Sequence, residues 1–386
     1  MAKILLVGDS HIIKPNVPRY SRHQFLRPKK FPSERFPFPF AQVWQPFESI
    51  ALWRPVGEDY QLVHAFNGII PYTKKPWVVT FEVLLPYLQS ETNLLLKSLL
   101  KERLALENCR KIIALSDYAK FKFINSLKDW SLLDNVVKKI EVINPNFPVI
   151  TTQPKSYQNE QNLEIVFIGN HIGRKGGIAA LRLAKKAQLV GFPLTVHIVS
   201  KLDYGGNIWT DFPDRNRYEE DLKLLNLDNV VFQGKLPNQE VINLLSRSHF
   251  HILPTLHDTY GYSVVESFSV GTPVITTNVA ALPEFVHHDR NGYLLNLELN
   301  ETREWKNLPS PRLKNSSEKY WEILNYTYDN LAEQALQIIG NFLERPDKQE
   351  HYESLSAEAV AQVQNTYNSK KMNDILDNLY SAAIER

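Results

Sequence analysis

The sequence predicts an α/β fold, with two doubly wound domains in one chain. Three observations carry this. Short apolar runs rich in Val and Ile alternate with helical patterns along most of the chain. A polar stretch near the middle, residues 151–161, lacks a hydrophobic period and separates two such series. The chain has 386 residues, 43% of them hydrophobic, which is more than one ordinary core accommodates.

Candidate strands of the first series are residues 4–7, 61–65, 77–81, 111–115 and 139–143. Those of the second are 164–169, 194–200, 230–234, 251–253 and 273–277. Runs apolar on both faces suit parallel sheets covered by helices. Helical patterns lie between them, for example at residues 177–190, 239–246 and 262–270. Ser116-Asp117 reads as the N-cap of another helix. A terminal amphipathic stretch carries Met372, Ile375, Leu376, Leu379 and Tyr380, and must dock somewhere. The expected domains are residues 1–155 and 156–365, followed by a last helix at 366–386.

Composition excludes several classes. A net charge of +2 gives no global argument for nucleic acid. The lone Cys109 rules out an intrachain disulfide or a multi-Cys metal site and fits a reducing compartment. No run approaches the ~20 apolar residues of a membrane span. The apolar start of the chain stops at Gly8-Asp9, short of a secretion signal, so it reads as a buried strand and the expected location is cytoplasmic.

Residues 14–40 stand apart. They hold seven Lys or Arg against one acid, Glu34, with five phenylalanines and five prolines after Pro15. Prolines are expected to interrupt any helix until about Phe40. The simpler reading is a loop packed on its domain by aromatics. The sharper one is a surface for an anionic lipid or polyanionic acceptor, at the inner membrane face.

The richest signal runs from His251 to Leu295. A buried strand ends at Pro254, a polar loop leads to Gly261, and a helix follows, with Gly271 suited to its C-terminal cap. Ligands of open parallel sheets bind at the carboxyl ends of strands. The helix beginning at Tyr262 and Ser263 aims its free N–H groups there, which suits phosphate or developing negative charge. Glu266, one turn in, can accept from ribose hydroxyls, and Asp258 from hydroxyls of a sugar. A second strand–turn–helix junction holds Gly169, Asn170, Arg174 and Lys175, again an anion site with added positive charge. A third turn, after the strand at 230–234, carries Lys235 and Leu236.

Asp258 and Glu266 have seven residues between them. That spacing, with Gly271-Thr272-Pro273, Pro283-Glu284 and Asn291-Gly292 following in order, closely resembles the EX7E motif of retaining family-4 glycosyltransferases. Lys175-Gly176 matches the same family, whereas Asn170 stands where the family has Arg, and Asp258 is one methylene shorter than its glutamate. The resemblance implies a GT-B fold, two Rossmann-like domains facing across a cleft, with the terminal helix crossing back onto the first. It implies a nucleotide-diphosphate sugar (UDP- or GDP-sugar) as donor on the second domain and a glycan or lipid-linked acceptor on the first. Tyr260, Gly261, Tyr262, Ser263 and Glu266, with Gly169, Asn170, Arg174, Lys175, Lys235 and Leu236, would hold the donor. Asp258 would orient the sugar, and Lys175 and Arg174 would stabilise the diphosphate leaving group, with no cofactor and no metal.

His64, at the end of an apolar strand, looks like the family's strand-end histidine beside the transferred sugar, although a histidine among apolar residues also suits a structural role. His11 and Glu82 are speculative acceptor-side residues. The Gly-Gly loop common after the family's first strand is absent. A nucleotide-sugar binding protein without catalysis, or a nucleotide-sugar epimerase, would share the same architecture. The glycine fingerprint of a nicotinamide site is missing.

Overall fold

The computed structural model describes residues 1–8, 10–28, 50–51, 59–86, 94–157, 162–206, 208–309 and 316–385. Residues 29–40 of the basic, aromatic stretch, Asp9, and residues 158–161 lie outside this set. The chain divides into two units, Met1–Pro148 with Tyr367–Arg386, and Val149–Thr366.

The first unit contains β1 (Lys3–Gly8), α1 (Ser10–Ile13), β2 (Gln24–Leu26), β3 (Leu62–Phe66), β4 (Trp77–Phe81), α2 (Leu94–Ala105), β5 (Cys109–Ala114), α3 (Asp117–Asn125), α4 (Leu133–Val137) and β6 (Ile140–Val142). The second contains β7 (Leu163–Ile168), α5 (Gly177–Val190), β8 (Leu194–Val199), α6 (Glu219–Lys223), β9 (Val230–Gly234), α7 (Asn238–Arg247), β10 (Phe250–Leu253), α8 (Tyr262–Ser269), β11 (Val274–Thr277), β12 (Gly292–Leu295), α9 (Glu318–Glu344) and α10 (Lys348–Gln362). The chain ends in α11 (Ser369–Glu385), which belongs to the first unit.

The first sheet runs β2-β1-β3-β4-β5-β6 and the second β12-β11-β10-β7-β8-β9, every described pairing parallel. This is the expected pair of Rossmann-like units. The near-continuous apolar strands follow from burial on both faces. In the first sheet Leu5, Val7, Val63 and Ala65 enter one core cluster. Ile4, Leu6, Leu62 and Phe66 enter the other, which α11 covers with Met372, Leu376, Leu379 and Tyr380. The apolar stripe of the terminal helix therefore docks on the β1–β3 face. Ser116 caps α3 as its sequence suggests, accepting from Ala119 N–H at 3.0 Å. Gly271, at φ +73°, follows α8 in the left-handed conformation that favours glycine.

Three features depart from expectation. A helix does follow β1 directly: α1 occupies Ser10–Ile13 and runs into a 3-10 turn at Lys14–Asn16. Pro15 sits at the start of that turn, where its missing N–H is not needed. β2 forms an edge strand inside the basic stretch, with Arg19 and Arg22 tied to α11 through Asn373 and Asp377. Three residues are too few to show a period of two.

The third correction is His64. Its ring is 0% exposed, lying on the face beneath α11. Nδ1 pairs with the Tyr380 hydroxyl at 2.9 Å and Nε2 with Thr80 Oγ1 at 2.8 Å, so the neutral imidazole donates to one and accepts from the other. Phe66 stacks on it at 4.0 Å between centroids. Burial pushes its pKa down to about 3. Both nitrogens are committed inside the core, and none of the ring is presented to a sugar.

Tyr380→Phe removes one hydroxyl and leaves a buried imidazole nitrogen without its partner, a loss of about 1–3 kcal/mol. Tyr380→Ala adds a cavity and costs about 3–5 kcal/mol. Urea denaturation of the two variants checks the order.

Candidate functional site

The strand order of the second sheet places the site. From β7 the chain moves outward through β8 and β9, then returns to the other side of β7 for β10, β11 and β12. The reversal falls between β7 and β10. Beyond the carboxyl ends of two such strands a crevice opens, where ligands of doubly wound sheets bind. The turn after β7 carries Gly169 to Gly176, and the loop after β10 carries Pro254 to Gly261.

These two segments lock together. Gly176 has φ +81°, and a Cβ there would lie 1.9 Å from the Pro254 carbonyl oxygen, so glycine is required for both reasons. Leu256 N–H donates to Arg174 O at 2.9 Å, and Thr255 Oγ1 donates to the same carbonyl at 3.1 Å. The Arg174 guanidinium donates to His257 O at 2.9 Å and also meets His171 Nδ1 at 2.8 Å. Lys175 Nζ forms an ion pair with Asp258. Gly169 leaves room for the Lys175 stem: a Cβ there would stand 2.8 Å from Lys175 Cβ.

Asp258 is 4% exposed. Burial alone would raise its pKa, but the charges of Lys175 and Arg174 and the Lys175 hydrogen bond outweigh it and hold the carboxyl below its ordinary value. His171 moves down, through burial first and then through the charges of Arg174 and Lys175. Arg174, Lys175 and Asp258 thus form a fixed charge cluster, with two cations and one carboxylate, at the switch point.

A second group lies around α8. Gly261, at φ +89°, opens the helix, and its carbonyl accepts from Val264 N–H at 2.9 Å. Tyr260 is buried and stacks on Phe285 at 5.4 Å between centroids, while Tyr262 and Ser263 are half-buried. Glu266 is half-buried and accepts from Asn238 Nδ2 at 2.8 Å. Asn238 starts α7, directly after the turn holding exposed Lys235 and half-buried Leu236. The structure therefore brings Glu266 to the β9–α7 turn, and Lys175 to Asp258. Asn170 is exposed at the tip of its turn.

On the first unit, His11 is exposed. Glu82 is half-buried and paired with Asn67, which donates to its carboxylate at 3.4 Å and accepts its backbone N–H at 3.1 Å. Among the described residues, no three His, Cys, Asp or Glu side chains gather as a metal site.

Sequence reading missed Asn238, His251 and Asp211. Asn238 reads as an ordinary helix start. His251 sits inside β10, fully buried, with neither ring nitrogen hydrogen-bonded among the described residues. Asp211 comes from the long connection after β8, which has no motif.

Residues 149–302 match the family model described as Glycosyl transferases group 1. The chain is 29% identical over 147 residues to an uncharacterized 41.2 kDa protein in the cps region of Klebsiella pneumoniae, covering 37% of this chain and 36% of that one. It is 26% identical over 132 residues to the 2-deoxystreptamine N-acetyl-D-glucosaminyltransferase of Niallia circulans, covering 34% and 31%. The aligned part spans about a third of these relatives' length. Among solved structures, Anabaena HepE in complex with UDP-glucose superposes with a TM-score of 0.58 at 16% identity, covering 99% of this chain and 100% of that one. The fold is that of the GT-B glycosyltransferases.

Lys175→Met removes the cation beside Asp258. Breaking a buried pair in this way costs about 3–5 kcal/mol. In the native protein the depressed carboxyl contributes stability that is present above its unfolded value and lost as pH falls through the folded one. Without Lys175 burial dominates, the folded value rises, and that acid-side loss shrinks or reverses. Denaturation midpoints at about pH 4 and about pH 7 check both effects.

Proposed function

We propose that the chain is a retaining glycosyltransferase that moves a hexose-type sugar from a UDP- or GDP-sugar to a glycan or lipid-linked acceptor. One observation carries the reading. Arg174, Lys175 and Asp258 are clamped together at the switch point of the second sheet, with Glu266 beside the β9–α7 turn. The match of residues 149–302 to group 1 glycosyl transferases supports it.

The chemistry follows from charge. Breaking the donor's glycosidic bond leaves an oxocarbenium-like sugar and a diphosphate of growing negative charge. Lys175, Arg174 and the N-terminal N–H groups of α8 stabilise that leaving group in the transition state. These groups supply positive charge from the protein itself, so the reaction needs no metal. Asp258 accepts from the sugar hydroxyls, and Glu266 accepts from the ribose. Asn238 positions Glu266. The turn at Lys235-Leu236 borders the base. The acceptor hydroxyl attacks on the face the diphosphate leaves, which retains the anomeric configuration. The first unit supplies the acceptor side, with His11 and Glu82 as its candidate contacts. Among the described residues no helix is long and apolar enough to cross a membrane.

A ligand that binds only the native state raises stability by about 2.7 kcal/mol at a hundred times its Kd. One nucleotide series among UDP, GDP and ADP should raise the melting temperature, with or without EDTA, and Glu266→Ala should weaken the shift. Lys175→Ala should lower turnover by about 10²–10³-fold. A shift with none of the three nucleotides would contradict the donor site.

A further inference from the structure

The connection between β8 and α6 has no recognisable motif, yet it builds one wall of the Arg174 turn. Asp203 N–H donates to Asn170 O at 2.9 Å, and Ile172 N–H donates to Asp203 O at 2.9 Å, so the connection pairs with the turn as a short bridge. Farther along lies Asp211, 2% exposed. Its Oδ2 accepts from Gly205 N–H at 3.2 Å and its Oδ1 from Thr210 Oγ1 at 3.3 Å. The carboxyl lies flat against the turn: a Cβ on Gly173 would stand 2.6 Å from Oδ2. A side chain at position 173 would collide with this carboxylate, which also accepts a hydrogen bond from the Arg174 backbone N–H.

Among the described residues, the charged and titratable groups facing this carboxyl are few. From the turn comes Arg174; from the 3-10 segment Arg215–Tyr218 comes Tyr218; from α9 come Tyr320 and Tyr328. Tyr218 OH accepts from Phe212 N–H at 2.8 Å, and Tyr320 OH donates to Thr210 O at 2.5 Å, which fixes the backbone on either side of Asp211. Arg174 is the one cation among them. Burial pushes the Asp211 carboxyl up to about 7, against the pull of the Gly205 and Thr210 hydrogen bonds and of Arg174. His171, the nearest imidazole of the turn, is shifted below its ordinary value and is neutral above neutrality.

We propose that Asp211 is a positioning residue of the diphosphate turn, and that it takes up a proton when a nucleotide-diphosphate sugar binds. The inference rests on the donor-site reading above. In the empty protein the Arg174 charge supports ionised Asp211 from across Gly173. A bound diphosphate draws on that same charge and adds its own negative charge nearby. Both effects disfavour the carboxylate, so binding and protonation are linked. Affinity then falls as pH rises through the Asp211 titration, by up to tenfold per pH unit for one proton.

The test is titration calorimetry of the full chain with UDP-glucose, GDP-mannose and ADP-glucose, whose diphosphate diesters do not titrate near neutrality. For whichever binds, Kd should weaken about three- to tenfold per unit between about pH 7 and about pH 8.5. Asp211→Asn should bind with an affinity that stays flat over this range. A purely structural role would instead shift affinity equally at every pH. Binding with the same pH slope in both proteins overturns the inference and leaves the donor site standing. Absence of binding of all three by the wild type overturns the donor site and this inference with it. The wild type also decides alone, in case the variant does not fold. Heats at about pH 7.5 should differ between buffers of different ionisation enthalpy, and heats independent of the buffer would overturn proton uptake.

Discussion

The second unit is organised around the clamp between the turn after β7 and the loop after β10. Lys175 and Asp258 are 83 residues apart in sequence and meet as an ion pair in which Asp258 is almost wholly buried. Taking two charges out of water is costly, and their mutual attraction repays that only in good geometry with further hydrogen bonds. Here those bonds run through the backbone: Arg174 O receives Leu256 and Thr255, and His257 O receives the Arg174 side chain. Gly176 permits the approach, since any side chain would strike Pro254. An apolar pair would serve stability as well; what the ion pair adds is a cation held at the switch point of the sheet.

Two carboxylates flank this turn in opposite states. Asp258 faces Lys175 and is held ionised, whereas Asp211, against Gly173, is pushed upward by burial that the Gly205 and Thr210 hydrogen bonds and the Arg174 charge do not offset. The difference lies in the number of cations each meets. Environment splits two chemically identical groups into a permanent charge and a titrating one, the arrangement by which sites separate acid–base roles. His251 lies nearby in β10, where burial first and then the Lys175 charge push its pKa down to about 3 and keep the imidazole neutral.

Much of this was legible in the sequence. The apolar runs marked most of the strands, because burial on both faces leaves few polar residues in them. The spacing of Asp258 and Glu266, and the Arg174-Lys175-Gly176 turn, pointed to the crevice that the strand order opens. What escaped depends on contacts between distant segments. His64 looked accessible because a strand end says nothing of what covers it, and the Tyr380 hydroxyl lies 316 residues away. β2 was too short to show a period, and α1 was hidden by the prolines that follow it. Asp211 and Asn238 carry no pattern of their own. Each matters through one partner, Gly173 and Glu266 respectively, that only the folded chain supplies.

The most direct measurement is a crystal structure of the chain grown with UDP or GDP, whichever stabilises it. The clamp and the strand order together predict the diphosphate against Lys175 and Arg174, and the ribose hydroxyls on Glu266 beside the β9–α7 turn. A nucleotide bound elsewhere, with Lys175 and Glu266 untouched, would contradict the assignment of these two turns as one donor site.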